Sequence, residues 1–467
     1  MEKNVRPDTE PVDRGSGIQA GNPLKPASPE LWGGVECTIN RVGEAYMSQL
    51  ARSGHLHRLS DLDAFAGLDI KTIRYPILWE ALAPAQQDTT DWQWADQRLR
   101  HLAKAGIQPV VGLVHHGCGP RYATFDQPER FEQGLVHFAA GLARRHPGIQ
   151  AYTPINEPMT TARFSGLYGH WYPHQRDPYS FFKLLFCQCR ATINAMKAIR
   201  EVNSDAQLIQ TEDLGKTHAT DALQYQADWE NDRRWLTWDL LTGSFTPAHP
   251  LWQYCRWLGF TDHELWYFAD NPCPPDIIGI NHYITSERYL DDNLSGYPEA
   301  MWGGNGQHRY VDTEVVRAAP ARRAGLGALI EETWARYKRP LALTEVHIGA
   351  SAEEQLLWLH EAWVIARAAK TAGIDVKAVT SWALLGSFDW HCLVTRQDNH
   401  YEPGVYDCRG KALVAMPLEA LVRRLAAGRS ARDLLPQGKG WWHQRLSEPP
   451  TKTPHSLMKH SPVEALQ

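Results

Sequence analysis

Two periods run through this chain. Eight short, mostly apolar runs have the length and β-branched content of buried strands: LWGGVECTI (31–39), IKTIRYPILW (70–79), QPVVGLVH (108–115), QAYTPIN (150–156), AQLIQTE (206–212), DIIGINHYI (276–284), PLALTEVHI (340–348) and VKAVTSWALL (376–385). Between most of them the apolar positions recur at helical spacing. In ERFEQGLVHFAAGLARRH the recurring set is Phe131, Leu135, Phe138, Ala139 and Leu142. In SAEEQLLWLHEAWVIARAAKTAG it is Leu356, Leu359 and Trp363, until Gly373 ends the pattern. DWQWADQRLRHLAKAG ends on Gly106 in the same way.

Strand followed by helix, repeated about eight times in roughly 400 residues, predicts the α/β class and a single closed (β/α)8 TIM barrel. A doubly wound open sheet would place a glycine-rich phosphate loop after its first strand, and WGGVECTIN contains no GxGxxG. The barrel is expected over residues 29–435. Residues 1–28, rich in Pro, Gly and charge, read as a disordered tail, and 436–467 as a loose C-terminal tail. The stretch 213–275 exceeds what a helical crossover needs, so it is expected to cover the barrel mouth with insertions. Asp292–Ser295 and Trp302–Gly306 read as loops, and Trp229, Trp235, Trp238 and Trp252 as core or lid packing.

Polar residues interrupt the apolar runs at one end of each strand. Arg74 lies in the second run, and His115 and His116 end the third. Asn156-Glu157 end the fourth, inside YTPINEP, and Glu212-Asp213 end the fifth. Asn281-His282-Tyr283 lie in the sixth, Glu345 ends the seventh, and Trp382 lies in the eighth. Ionisable groups on apolar strands are costly unless paired or used. In a barrel, the C-terminal strand ends form the active face. Asn156-Glu157-Pro158 alone would equally suit a turn, and Glu345 alone would suit a structural ion pair with Arg74. Together, two carboxylates across a barrel mouth fit glycoside hydrolysis: one protonates the leaving oxygen while the other attacks or activates water.

Composition narrows the partners. The chain has 467 residues, of which 43% are hydrophobic and 22% charged, values of an ordinary globular protein. A formal net charge of -5 offers no basic field for a phosphate backbone, so no nucleic acid is expected. No apolar run is long enough to cross a membrane, and the first residues lack the apolar core of a secretory signal. Eight cysteines without a CxxC pair suggest reduced thiols and a cytoplasmic location. His115, His116, His282 and His347 could in principle hold a metal, but no H-x-x-E-H or H-x-H spacing supports it. No metal and no cofactor are expected. Nineteen tryptophans suit stacking on sugar rings, although core packing is the commoner use.

The motifs resemble those of glycoside hydrolase family 1, the β-glucosidase-like retaining enzymes, over about residues 30–410. YTPINEP resembles the family's T-x-N-E-P acid/base motif, and LALTEVHIG its I/V-T-E-N-G nucleophile motif. TIRYPILW, GINHYI and SWALLGSFDW resemble its R-F-S-x-x-W, G-x-N-Y-Y and W-S-L-x-D-N-F-E-W stretches. The resemblance implies that Glu157 is the general acid/base and Glu345 the nucleophile, with Arg74, Asn281 and Tyr283 positioning Glu345. It implies that Asn156 bonds the sugar 2-hydroxyl, that His115 and His116 contact the ring, and that Trp382 is the stacking platform. Asn40, Asp389 and Trp390 would complete the sugar pocket. Four departures touch recognition and leave the carboxylates alone. Asn40 stands for the family's Gln, His115-His116-Gly117 for H-W-D, Asp389 for the distal Glu, and Val346-His347 for Asn-Gly.

The implied activity is hydrolysis of a small-molecule or oligosaccharide β-glycoside by a retaining, two-carboxylate double displacement. Two alternatives stay open: transfer of the sugar to another acceptor by the same pair, and a non-catalytic sugar-binding relative with an altered pocket. The sequence sets neither the sugar nor the oligomeric state.

Overall fold

The computed structural model describes residues 28–444. Eight parallel strands close into a barrel: β1 Glu30–Gly34, β2 Thr72–Pro76, β3 Gln108–His115, β4 Ala151–Asn156, β5 Gln207–Asp213, β6 Ile277–His282, β7 Leu341–Val346 and β8 Val376–Ser381. Each pairs with its neighbours in chain order, and β1 closes the ring against both β8 and β2. Six fall inside the apolar runs of the sequence, and β1 and β5 overrun theirs by one residue, Glu30 and Asp213. The expected (β/α)8 barrel is the observed one.

The strands are apolar on both faces because both are covered. Inside, Trp32, Val110, Ala151, Ile209, Ile277, Ala342 and Ala378 form one buried layer contributed by seven strands. Outside lie the amphipathic helices α1 Trp92–Lys104, α2 Pro128–Arg145, α3 Pro178–Arg200, α4 Gly325–Tyr337, α5 Ala352–Thr371 and α6 Pro417–Ala426. Local chemistry sets their ends. Asp91 and Asp177 cap α1 and α3 by accepting from backbone N–H groups. Ser351 and Glu354 form a reciprocal capping box on α5, and Gly373 just beyond it takes φ +93°, where a side chain would be strained.

A four-stranded sheet, in the order Trp302–Gly304, Arg309–Glu314, Arg288–Asp291 and Thr217–Ala219, sits beside the barrel. It is built from the segments that follow β5 and β6, which places it on the C-terminal side. Trp302–Gly304 is therefore a strand rather than the expected loop: it pairs antiparallel with Arg309–Val311. Ala219, Leu223, Ala227, Leu290 and Tyr310 form this sheet's own small core. The rest of 213–275 folds into four short helices, two of which, Leu236–Leu241 and Asp262–Asp270, pack together. Trp235, Trp238 and Trp252 are buried in the main core and Trp229 packs at its edge. These insertions thicken the outer wall as well as the mouth.

The tail expectations fall on residues 1–27 and 445–467, outside the described residues, except at one end. Residues 436–444 are not loose: Trp442 is 1% exposed, stacks edge-on against Trp358 and donates its indole N–H to Glu361 at 2.9 Å. No helix among the described residues is long and apolar enough to cross a membrane.

Candidate active site

Strand register gathers the polar residues at one end of the barrel. His115 of β3 is level with Asn156 of β4, Glu345 of β7 with Asn281 of β6, and Arg74 of β2 with Gly34 of β1. Glu157 follows β4 at φ +46°, ψ +65°, a left-handed conformation that costs a non-glycine residue on the order of 1 kcal/mol. His116 (φ +55°) and Asp389 (φ +58°) share that region. Three such residues at one rim mark where the chain accepts local strain to aim side chains. Pro158 then starts a short helix whose first N–H groups, from Met159 and Thr160, are taken by the Glu212 carboxylate of β5. Glu212 thereby anchors the turn that carries Glu157.

The two carboxylates have different neighbours. Glu345, 2% exposed, accepts from Arg74 Nη1 at 2.8 Å and from the Tyr283 hydroxyl. Glu157, 4% exposed, accepts from Asn281 Nδ2 at 2.5 Å, with His116 Nε2 3.8 Å away. Asn281 was expected on Glu345; it sits instead on Glu157, because Thr344 takes its other amide atom (Oγ1 to Oδ1, 2.7 Å) and turns the nitrogen toward β4. Asn156 links the two sides. Its Oδ1 accepts from Arg74 Nη2 and Thr211 Oγ1, both at 2.8 Å, while Nδ2 donates to His115 Nε2 at 3.2 Å and His116 Nε2 at 3.4 Å.

Trp382 lies flat over this network. Its ring stacks on His115 at 5.6 Å and 11°, and the Arg74 guanidinium sits 4.7 Å from its centroid. A Cβ on Gly34 would come within 2.5 Å of the indole, so only glycine lets the platform seat there. Trp390 packs edge-on against His116, and its indole N–H has no partner. Asn40, fully buried, donates to the Val394 carbonyl at 2.9 Å and leaves its own oxygen unpartnered.

The expectation for Asp389 needs correction. Asp389, expected to bind a sugar hydroxyl, has both oxygens bonded within the protein: they accept from Arg52 Nη1 at 2.5 Å and from the backbone N–H groups of Asp398, Asn399 and His400. The shorter side chain folds into its own loop, where Glu would project further. Of the four histidines weighed for a metal, His115 and His116 lie together, while the other two have partners of their own. His282 stacks on Trp358, and His347 bonds Glu402 at 2.9 Å. One residue escaped the sequence reading: Glu36, just beyond β1, is 4% exposed and accepts from Trp382 Nε1 at 3.2 Å. Its signal was available, a carboxylate inside the apolar run LWGGVECTI.

The family model for glycosyl hydrolase family 1 matches residues 36–397. The chain belongs to glycosyl hydrolase family 1. Solved members of this family share the fold at low identity. A family 1 β-glucosidase from Thermotoga maritima superposes with TM-score 0.67 at 15% identity, over 87% of this chain and 99% of that one. The Thermotoga maritima β-glucosidase in complex with glucoimidazole gives 0.66 at 16%, over 87% and 100%, and its complex with deoxynojirimycin gives 0.65 at 16%, over 86% and 98%. A curated relative, a 6-phospho-beta-glucosidase from Dickeya chrysanthemi, is 23% identical over 187 residues. That match covers 37% of this chain and only 39% of the relative's length.

As a family 1 glycoside hydrolase, the protein works from a buried electrostatic arrangement. Burial raises Glu157 well above the ordinary carboxyl value, and the charges of Glu345, Asp213 and Glu212 raise it further; the Asn281 amide opposes them. Burial also pushes Glu345 up to about 7, against the pull of Arg74 and Tyr283, with the charge of Glu36 adding to the rise. Arg74 was expected to keep Glu345 ionised; burial outweighs it. Burial lowers His115 far below the imidazole range and His116 to about 3, so both rings are neutral. A cavity of about 530 Å³ between α2 and α3 lies on the outer ring, away from these groups.

Proposed function

We propose that the protein is a retaining β-glycosidase acting on O-linked β-glycosides by double displacement. Its family membership supports the hydrolase chemistry. The observation that carries the mechanism is the asymmetry of the two carboxylates. Glu345 is the one bonded to a guanidinium and a phenol, groups that stabilise its ionised form. Glu157 has an amide and a neutral imidazole, and is the more strongly raised of the two.

In the first step Glu345 attacks the anomeric carbon as the C–O bond to the aglycone breaks. Glu157 gives its proton to the departing oxygen, and a glycosyl ester on Glu345 forms. In the second step Glu157, now ionised, takes a proton from water as the water oxygen attacks the same carbon. The ester breaks, Glu345 is released as a carboxylate, and the sugar leaves with its original anomeric configuration. Arg74 and Tyr283 hold the nucleophile's oxygens in place, and Trp382 offers a flat apolar face to the ring. This mechanism calls for carboxyl groups about 5–5.5 Å apart, against about 6.5–9.5 Å for an inverting pair. All eight cysteines are free and buried, which supports a reducing, cytoplasmic setting.

A panel of chromogenic β-glycosides (glucoside, galactoside, fucoside, xyloside, glucuronide and 6-phosphoglucoside) finds the substrate. Proton NMR of the first product then reads the stereochemistry. The β-anomer is expected before mutarotation; an initial α-anomer, or no turnover across the panel, overturns the proposal.

A further inference from the structure

Glu36 sits two residues beyond the end of β1 with both carboxylate oxygens bonded only by neutral donors. Oε1 accepts from the Thr38 N–H at 2.9 Å and Oε2 from Trp382 Nε1 at 3.2 Å. None of the ion pairs among the described residues includes it, although it is 4% exposed. A buried carboxylate without a cation is unfavourable for the fold, so its retention calls for a compensating partner. Each of its oxygens keeps acceptor capacity that these two bonds do not use.

Its surroundings say what that partner is. Trp382, the platform, connects Glu36 directly to the surface a sugar ring would stack on. The Trp390 indole N–H lies near enough to Glu36 to favour its ionised form without a well-formed hydrogen bond to it, and the Glu36 charge in turn raises Glu345. The Asn40 oxygen, on the same segment after β1, is buried and unpartnered too. Unused acceptors beside an unused donor match hydroxyl groups, which donate and accept at once. They do not match an anion. Of the arginines near the rim, Arg74 is committed to Glu345 and Asn156, Arg52 to Asp389, and Arg41 to Glu44 and the Gly43 carbonyl, while Arg163 faces Asp213 at 3.6 Å on the β4–β5 side, across the barrel from the segment after β1. A phosphoryl or carboxylate substituent on the sugar would meet Glu36 with no cation bonded to that carboxylate among the described residues.

We propose that Glu36 is a specificity-determining residue of the sugar pocket, accepting hydrogen bonds from ring hydroxyls of an uncharged glycoside stacked on Trp382. The assignment rests on the glycosidase reading above and deepens it. It gives the β1 end of the pocket the carboxylate that Asp389, folded into its own loop, does not supply.

The test compares the full-length enzyme with Glu36→Gln, which keeps the volume and an oxygen for Trp382 but removes the charge. Substrates are the best nitrophenyl β-glycoside and its monodeoxy analogues, each lacking one hydroxyl. Losing a charged hydrogen bond to a hydroxyl is expected to lower kcat/KM about 10- to 100-fold on the parent sugar. On the analogue lacking the contacted hydroxyl, the two enzymes are expected to agree within about threefold. A purely structural role for Glu36 would instead reduce activity equally on every analogue, and that result overturns the proposal, as does no reduction on any. Preference of the parent for the 6-phosphorylated glycoside over the neutral one overturns it too.

Glu36→Asp, which withdraws the carboxylate by one methylene, serves in the same assays if the Gln variant fails to fold. Tryptophan fluorescence with the free sugar and its monodeoxy forms separates this claim from the glycosidase reading. Without turnover, sugar binding weakened about tenfold by Glu36→Gln, except for one deoxy sugar, upholds Glu36 while the glycosidase reading fails. Binding unchanged by the substitution, or no sugar binding by the parent, overturns the assignment of Glu36.

Discussion

Replacing Glu345 with Gln should stabilise the fold at alkaline pH relative to the parent, at the expense of activity. Burial pushes the Glu345 carboxyl from its ordinary 4.5 up to about 7, so the folded chain holds a proton that the unfolded chain has released. A group with a raised folded-state value contributes its full stability below about 4.5 and loses it as pH rises through about 7. At about 1.4 kcal/mol per tenfold change in proton affinity, that interval costs the parent about 3 kcal/mol by pH 8. Gln mimics the protonated side chain and cannot incur this cost. Removing the Glu345 charge also eases the rise at Glu157, which adds in the same direction. Glu80, Glu212 and Glu36 are raised by burial as well, but both proteins carry them and most of their effect cancels in the difference.

Equilibrium urea unfolding of both proteins at pH 4.5 and pH 8, followed by tryptophan fluorescence, measures this. Taking the difference between the two pH values removes any packing change between Gln and a protonated carboxyl. The advantage of Glu345→Gln should grow by about 3 kcal/mol between them, or about 3 °C in Tm for a chain of this length. A stability difference that stays constant to within about 0.5 kcal/mol would show that Glu345 ionises at its ordinary value and that burial does not govern the site.

The same electrostatics give the pH dependence of turnover: kcat/KM should climb as Glu345 ionises near pH 7 and fall at higher pH as Glu157 loses its proton. Glu157→Gln should abolish the alkaline limb on a substrate whose leaving group needs no protonation, and added azide should accelerate that variant by replacing water in the second step. Asp389→Ala leaves Arg52 without its carboxylate and should cost about 3 kcal/mol, with KM rising as the Trp390 loop loosens; Asp389→Asn should recover part of the loss. Thermal unfolding and steady-state kinetics read both effects. Trp442→Ala should cost about 3–5 kcal/mol by emptying the site against Trp358, measured by urea unfolding.

The barrel was legible because its strands are buried on both faces and its helices on one, so the two periods separate cleanly along the chain. The small sheet was not. Its strands are only three to six residues long and half solvent-facing, and Trp302–Gly304 carries two glycines that read as a loop. The C-terminal segment was misjudged because prolines and lysines outweighed the single buried side chain, Trp442, that pins it. At the site, the ends of β4 and β7 named the carboxylates, while the partners of each depended on side-chain rotation that spacing does not encode. Asn281 turned to Glu157 because Thr344 holds its oxygen, and Asp389 turned inward to Arg52 and the backbone N–H groups of its own loop. Glu36 went unread because it fits no motif, although a carboxylate inside the apolar run LWGGVECTI was a signal; its burial beside Trp382 shows its place.

Covalent trapping tests the central claim most directly. Incubation with an activated 2-deoxy-2-fluoro-β-glycoside of the preferred sugar, followed by intact mass and peptide mapping, should show one fluoroglycosyl group on Glu345 within LALTEVHIG and none on Glu345→Gln. A label on Glu157 or elsewhere, or turnover of ordinary glycosides by Glu345→Gln, would contradict the assignment of Glu345 as nucleophile and Glu157 as its acid.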